Sequence, residues 1–263
     1  MKSLVIAALL GAVLMTSTLM AQSPFDGTWE IDLDKVHTPK RPDVLVLTNG
    51  MFECRTCVPP IDIKADGQDQ KVAGNPYFDS MAVKVVDDHT IDRTEKKDGK
   101  IVLTAQTTVA ANGKTAVFEF TDNTSSNGAT VTGKGSMTHL ARGPVGSHAI
   151  SGSWRTVSYG NVSDNGLSFA YKVDGDKLSM TTPTGQSYEA TFNGAAAPYL
   201  GDPGTTSISV KKLGKHVIRE TARRNGKVVS VSTLTVAADG KTMNIATSDK
   251  LHGTSMSLVA IRQ

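Results

Sequence analysis

The residue types most suited to chemistry are the two cysteines, in Cys54-Arg-Thr-Cys57. Cysteines at this spacing serve as local disulfides, as redox centres or as half of a zinc site. A redox pair of the thioredoxin kind opens a helix, whose N-terminus lowers the thiol pKa. Here Met51-Phe-Glu53 precedes and Val58-Pro-Pro60 follows, an extended setting. No histidine follows Cys57, which excludes c-type haem attachment, and two thiols alone do not complete a zinc site. The leading expectation is a structural disulfide between Cys54 and Cys57, with redox, metal or free-thiol roles as alternatives. So short a loop gives only a small entropic stabilisation.

The histidines are His37, His89, His139, His148, His216 and His252, and none pair at metal-ligand spacing. Asp87-Asp88-His89 has the composition of an acid–base cluster, but the run reads first as a solvated turn. Glu95 and Glu220 lie in the charged runs Asp92–Lys97 and Arg219–Arg224. Cross-strand ion pairs on a solvent face account for such runs. The alternative turns Arg93 or Arg219 inward to hold a ligand carboxylate. A register change of one residue separates the two cases. There is no Gly-x-Ser-x-Gly elbow, phosphate loop or dinucleotide fingerprint. No catalytic residue, metal ligand or cofactor-binding residue is assigned, and no cofactor is expected. Asn123-Thr-Ser125 and Asn161-Val-Ser163 match the glycosylation sequon, which matters only in a eukaryotic secretory route.

The elements that must position these residues are written twice. Thr108-Val-Ala-Ala-Asn-Gly-Lys-Thr115 returns as Thr235-Val-Ala-Ala-Asp-Gly-Lys-Thr242, 127 positions later. At the same offset Asp98-Gly99-Lys100 lies over Asn225-Gly226-Lys227, and Ile91 over Ile218. Gly27-Thr-Trp29 returns as Gly152-Ser-Trp154 at an offset of 125, and Arg142 resembles Arg262. Asp-Gly and Asn-Gly pairs punctuate runs rich in Val, Ile, Thr and Ser, the pattern of antiparallel hairpins. Eight or nine strands per unit are expected, enough to close a barrel. The fold class is therefore all-β, with two homologous antiparallel up-and-down β-barrel units.

Residues 1–21 read as a secretory signal peptide: Lys2, then an uncharged apolar run from Leu4 to Met15, then Ala21. The units are then 22–143 and 148–263, joined by a glycine-rich linker. The expected location is periplasmic or secreted, with no membrane span after cleavage. Lys+Arg 28 against Asp+Glu 25 is too small an excess for a nucleic-acid binder. Seven Phe, five Tyr and two Trp are too few for the aromatic girdles of a membrane barrel.

Phe25-Asp-Gly-Thr-Trp29 and Ile150-Ser-Gly-Ser-Trp154 resemble the Gly-x-Trp motif on the first strand of lipocalins and related calycin barrels. In that family the Trp closes one barrel end and an Arg from the last strand packs over its ring. The resemblance implies two end plugs, Trp29 with Arg142 and Trp154 with Arg262. It also implies a small apolar or amphipathic ligand inside one or both barrels, reached from the end opposite the tryptophans. The rival readings are a non-catalytic structural or protein-interaction module with solid barrels, and a barrel-type isomerase or cyclase.

Overall fold

The computed structural model describes residues 23–263, so the expected signal peptide at 1–21 lies outside the described residues. The chain opens with Gly27–His37 (β1). It then builds Asp43–Thr48 (β2), Met51–Cys54 (β3), Ile61–Lys64 (β4), Gln70–Lys71 (β5), Ser80–Val85 (β6), Thr90–Lys97 (β7), Lys100–Val109 (β8), Thr115–Asp122 (β9), Val131–Arg142 (β10) and Gly152–Gly160 (β11). One 3-10 turn at Asp164–Gly166 leads into Ser168–Asp174 (β12), Lys177–Thr181 (β13), Ser187–Thr191 (β14), Asn193–Leu200 (β15) and Ser207–Lys212 (β16). Val217–Arg224 (β17), Lys227–Val236 (β18), Thr242–Asp249 (β19) and Thr254–Arg262 (β20) complete the chain.

These strands form two antiparallel ten-stranded barrels, so each has more strands than the eight or nine expected. The second barrel is closed, in the order β1-β12-β13-β14-β15-β16-β17-β18-β19-β20. The first runs β4-β3-β2-β11-β10-β9-β8-β7-β6-β5 and is nearly closed. Its remaining gap is bridged just after β4, where Asp66 pairs with Lys84 and the Gly67 amide donates to the Val83 carbonyl at 2.9 Å.

The division between units differs from the expected one. The Gly-x-Trp strands do not open their own repeats' barrels. β1 pairs with β12 and β20, and so belongs to the second barrel. β11 pairs with β10 and β2, and so closes the first. The chain therefore crosses between barrels after His37 and again after Gly160. The linker at 143–147 is only the turn between β10 and β11, inside the first barrel. Repeated sequence marks repeated strands, but it does not say which neighbour each strand hydrogen-bonds.

Local chemistry explains the hairpins. Asp98 and Gly99 both have positive φ, at 51° and 76°, as do Asn225 and Gly226, at 50° and 82°. That geometry is a two-residue turn whose twist matches the flanking strands. The repeat extends to defects. β7 shifts register against β8 between Glu95 and Lys96, and β17 shifts against β18 between Ala222 and Arg223, 127 positions later. Asn49-Gly50 makes a further turn of this kind. Asp66-Gly67, expected to turn a hairpin, instead closes the first barrel.

Both barrels are filled. Phe52, Ile63, Met81, Val83, Ile91 and Ile150 are among the side chains that pack the first. Leu178, Val210, Ile218, Leu234 and Met243 do so in the second, each fully buried. Across the junction Tyr77 donates to Asp202 Oδ1 at 2.9 Å and Asn127 Nδ2 to the Pro183 carbonyl at 2.8 Å. No helix among the described residues is long and apolar enough to cross a membrane.

The strand exchange predicts a cross-link. Glu30 on β1 faces Ile261 on β20. Glu30→Cys with Ile261→Cys should form an intramolecular disulfide, read as a mass loss on oxidation. Glu30→Cys with Ala141→Cys, which pairs β1 with its own repeat, should leave two free thiols.

Candidate functional site

The barrel ends carry the tryptophans, with partners that correct the expected ones. Trp29 and Trp154 are both wholly buried. Each indole Nε1 donates to the carbonyl four residues back, Trp29 to Phe25 at 2.9 Å and Trp154 to Ile150 at 2.7 Å. The Gly between makes this return possible: Gly27 has φ 120° and Gly152 has φ 139°. A Cβ on Gly152 would also sit 2.1 Å from His139 Nε2. Arg262, the cross-strand partner of Trp29, lies over its ring at 4.5 Å. The guanidinium also donates to the carbonyls of Gly240 (2.6 Å), Asp26 and Pro24. Trp154 is not under Arg262, and Trp29 is not under Arg142. The cross-strand partner of Trp154 is His139, whose imidazole stacks on the indole at 4.0 Å with 5° between planes. Arg142 lies three residues beyond His139, opposite Gly152, and is exposed. The strand exchange causes both corrections, because each Trp strand borders the last strand of the other repeat.

Cys54 and Cys57 are joined in a disulfide. It spans the end of β3 and the bend that follows, and Cys54 packs in the first barrel's core. Among the described residues no three His, Cys, Asp or Glu side chains are grouped to hold a metal ion. Asp87-Asp88-His89 is a turn, with Asp87 Oδ1 accepting the His89 amide at 2.8 Å.

An inward-facing acidic cluster around Glu220 was not foreseen. Ile218 on β17 is wholly buried, and Glu220, two residues on, faces the same interior. Tyr171 on β12 donates its phenol to Glu220 Oε1 at 2.7 Å, and Tyr188 on β14 donates to the same oxygen. No described residue donates to Oε2. Burial pushes the Glu220 carboxyl up, and the two phenols oppose this in part. Burial, with the Glu220 charge beside them, holds both phenols well above their usual range, so they stay donors. The equivalent first-barrel position, 127 residues earlier, is Arg93. Its Nε lies 3.2 Å from Glu95 Oε1, and burial raises the Glu95 carboxyl against the pull of Arg93. Of the two arginines considered for an inward role, Arg93 thus shares the core side of β7, whereas Arg219 is exposed. Only alternation from Ile218 could have exposed Glu220, and in a strand this charged the register was open.

The larger cavities are not inside the barrels. One groove of about 740 Å³ lies where β17–β20 meet the crossover after β1, and is lined by Arg219, Thr233, Ala246, Ser257, His37 and Arg41 among others. Another, of about 560 Å³, lies on β7–β10 and includes Asp92, Gln106, Glu119 and Lys134. Asp92 pairs with Gln106, Gln106 with Glu119, and Glu119 with Lys134, opposite in parity to buried Ile91 and Ala105. These are outer sheet faces. A smaller cleft of about 250 Å³ at the junction is bordered by Asp43, Tyr159, Asp249 and His252. Burial raises the Asp43 carboxyl there, and His252 Nδ1 lies 2.7 Å from Asp249 Oδ2. None of these cavities borders Glu220. The interior pocket expected from the calycin resemblance is therefore not among them.

No protein-family model matches the chain, and no curated protein is significantly similar to it. The architecture is that of a double β-barrel protein, and the lipocalin resemblance rests on the Gly-x-Trp strands and barrel shape alone.

The Glu220 cluster predicts a pH-dependent stability. The folded state binds the Glu220 proton more tightly than the unfolded chain does. This contribution is full below the ordinary glutamate range and is lost as pH rises through the raised value. Glu220→Gln should therefore raise the thermal midpoint at neutral pH, with the difference shrinking in acid. Glu220→Ala strands two buried phenols and should cost about 3 kcal/mol in denaturant titration.

Proposed function

We propose that the protein is an exported, non-enzymatic binding module, in which two packed barrels act as rigid frames for recognition on their outer sheet faces. The observation that supports this is the location of space: each barrel holds a packed apolar cluster, while grooves of about 740 and 560 Å³ lie on the sheets' outer sides. Export rests on the apolar leader at 1–21, and the Cys54–Cys57 disulfide is compatible with an oxidising compartment. The absence of an enzyme motif in the sequence supports the non-catalytic part. Glu220 has the raised pKa of an acid–base group, but none of the grooves described above borders it.

A second reading keeps the small apolar or amphipathic ligand inside the second barrel. Glu220 Oε2, left without a protein donor, would take the ligand's polar head, and Tyr171, Tyr188 and Tyr199 would line its path. Tyr188 and Tyr199 lie 5.9 Å apart between ring centres. Native mass spectrometry of the mature protein, with a titration of an anilinonaphthalene dye, separates the readings. The outer-face reading expects no co-purified apolar molecule and no dye fluorescence that Glu220→Gln alters. A lipid at one or two per chain, displaced by the dye, would establish the interior reading instead.

A further inference from the structure

The two outer grooves occupy the same place in the two repeats. Asp92, Gln106 and Glu119 border the first. The residues 127 positions later, Arg219, Thr233 and Ala246, border the second. In each barrel the three sit side by side across adjacent strands, one row on the face away from the core. Their chemistry is reversed. The first groove carries two carboxylates against Lys134, and Gln106 Nε2 donates to Asp92 Oδ1 at 2.9 Å. The second has lost both acids, one to Arg219 and one to Ala246.

The crossover after β1 adds to this charge. His37 ends β1 opposite Ser257, and the chain then carries Lys40 and Arg41 along the groove's edge. Lys250 closes the other side, its Nζ donating to Ser248 Oγ at 2.8 Å. No carboxylate lines the groove, and none of Lys40, Arg41, Arg219 and Lys250 is paired with one among the described residues. Arg41 also borders the junction cleft that holds Asp43 and Asp249, and Asp249 accepts from His252 and from the amides of Leu251 and His252. Thr233, Ser255 and Ser257 supply hydroxyls between the cations, beside the apolar side chains of Val231, Ala246 and Met256. Four positive charges beside hydroxyl donors, in a space of about 740 Å³, fit a compact anion bearing several charges.

We propose that this groove binds a soluble, multiply charged oxyanion of the oligophosphate class, and that its acidic counterpart on the first barrel does not. The proposal rests on the outer-face reading of function and names the ligand chemistry of one such face. Arg219 is the discriminating residue, since it stands where the first repeat has Asp92. The crossover walls the groove on one side, which favours a small soluble anion over a flat anionic membrane.

The test transplants the first groove's acids into the second. Calorimetry and backbone-amide NMR shifts are read with tripolyphosphate on the full mature protein at low ionic strength. Expected are one site per chain, shifts confined to β17–β20 and residues 37–41, and a loss of affinity of about tenfold or more in Arg219→Asp with Ala246→Glu. The reciprocal change, Asp92→Arg with Glu119→Ala, should add a second, weaker site. Affinity should fall severalfold as ionic strength rises to about 0.5 M, because the groups are solvent-facing. Thermal midpoints of both double variants should stay near the parent's, since every substituted side chain faces outward. Absent binding, binding unmoved by the double variant, or capture only by phosphatidylglycerol vesicles would overturn the proposal. The dye and native-mass experiment separates the two failures. If tripolyphosphate does not bind and the barrels also hold no apolar ligand, the ligand class is wrong while the outer-face reading stands. A ligand found inside a barrel removes that reading itself.

Discussion

Everything in this molecule depends on where two Gly-x-Trp strands are hydrogen-bonded. β1 completes the second barrel and β11 completes the first. Each brings a wholly buried indole to a barrel end, fixed by a bond to its own chain four residues back. An indole buried with its N–H satisfied contributes a large apolar area at no polar cost. Over one lies a guanidinium, over the other an imidazole. The exchange ties the barrels by two covalent crossovers, and the first of these crossovers supplies the wall of the basic groove.

The filled interiors and the outer grooves follow from the same strand parity. On β7 and β17 the residues sharing a face with Ile91 and Ile218 are Arg93 with Glu95 and Glu220 with Ala222. Interior charge is costly, so it is met locally: Arg93 lies against Glu95, and two phenols satisfy Glu220. The opposite parity holds Asp92 and Arg219, which solvent can carry at little cost. The two repeats differ in charge on both rows: Arg93 corresponds to Glu220 inside, and Asp92 to Arg219 outside.

Much of the fold was legible in the sequence. The duplicated Thr-Val-Ala-Ala run and the Asp-Gly and Asn-Gly turns identify all-β repeats, since few other residues accept the positive φ of a tight hairpin. Cys54 and Cys57, three residues apart, pair as expected. The end caps were half legible. The tryptophans stand where the motif puts them, yet Arg262 and His139, not Arg142, cover them. Pairing between strands distant in sequence leaves no local mark, so a repeat boundary drawn by similarity gave each barrel one strand that belongs to the other. The Glu220 cluster was hidden for a related reason: Arg219-Glu-Thr-Ala-Arg-Arg224 is charged on both faces, and alternation there cannot say which is inside.

The exchange is tested most directly by cutting the chain at the expected boundary. Val145 is fully exposed in the turn between β10 and β11, so a protease site inserted there can be cleaved in the folded protein. Native mass spectrometry then weighs the product. With β1 held in the second barrel and β11 in the first, the two fragments should remain one particle at the full mass and part only in denaturant. Fragments that separate under native conditions, each a self-contained barrel, would contradict the account.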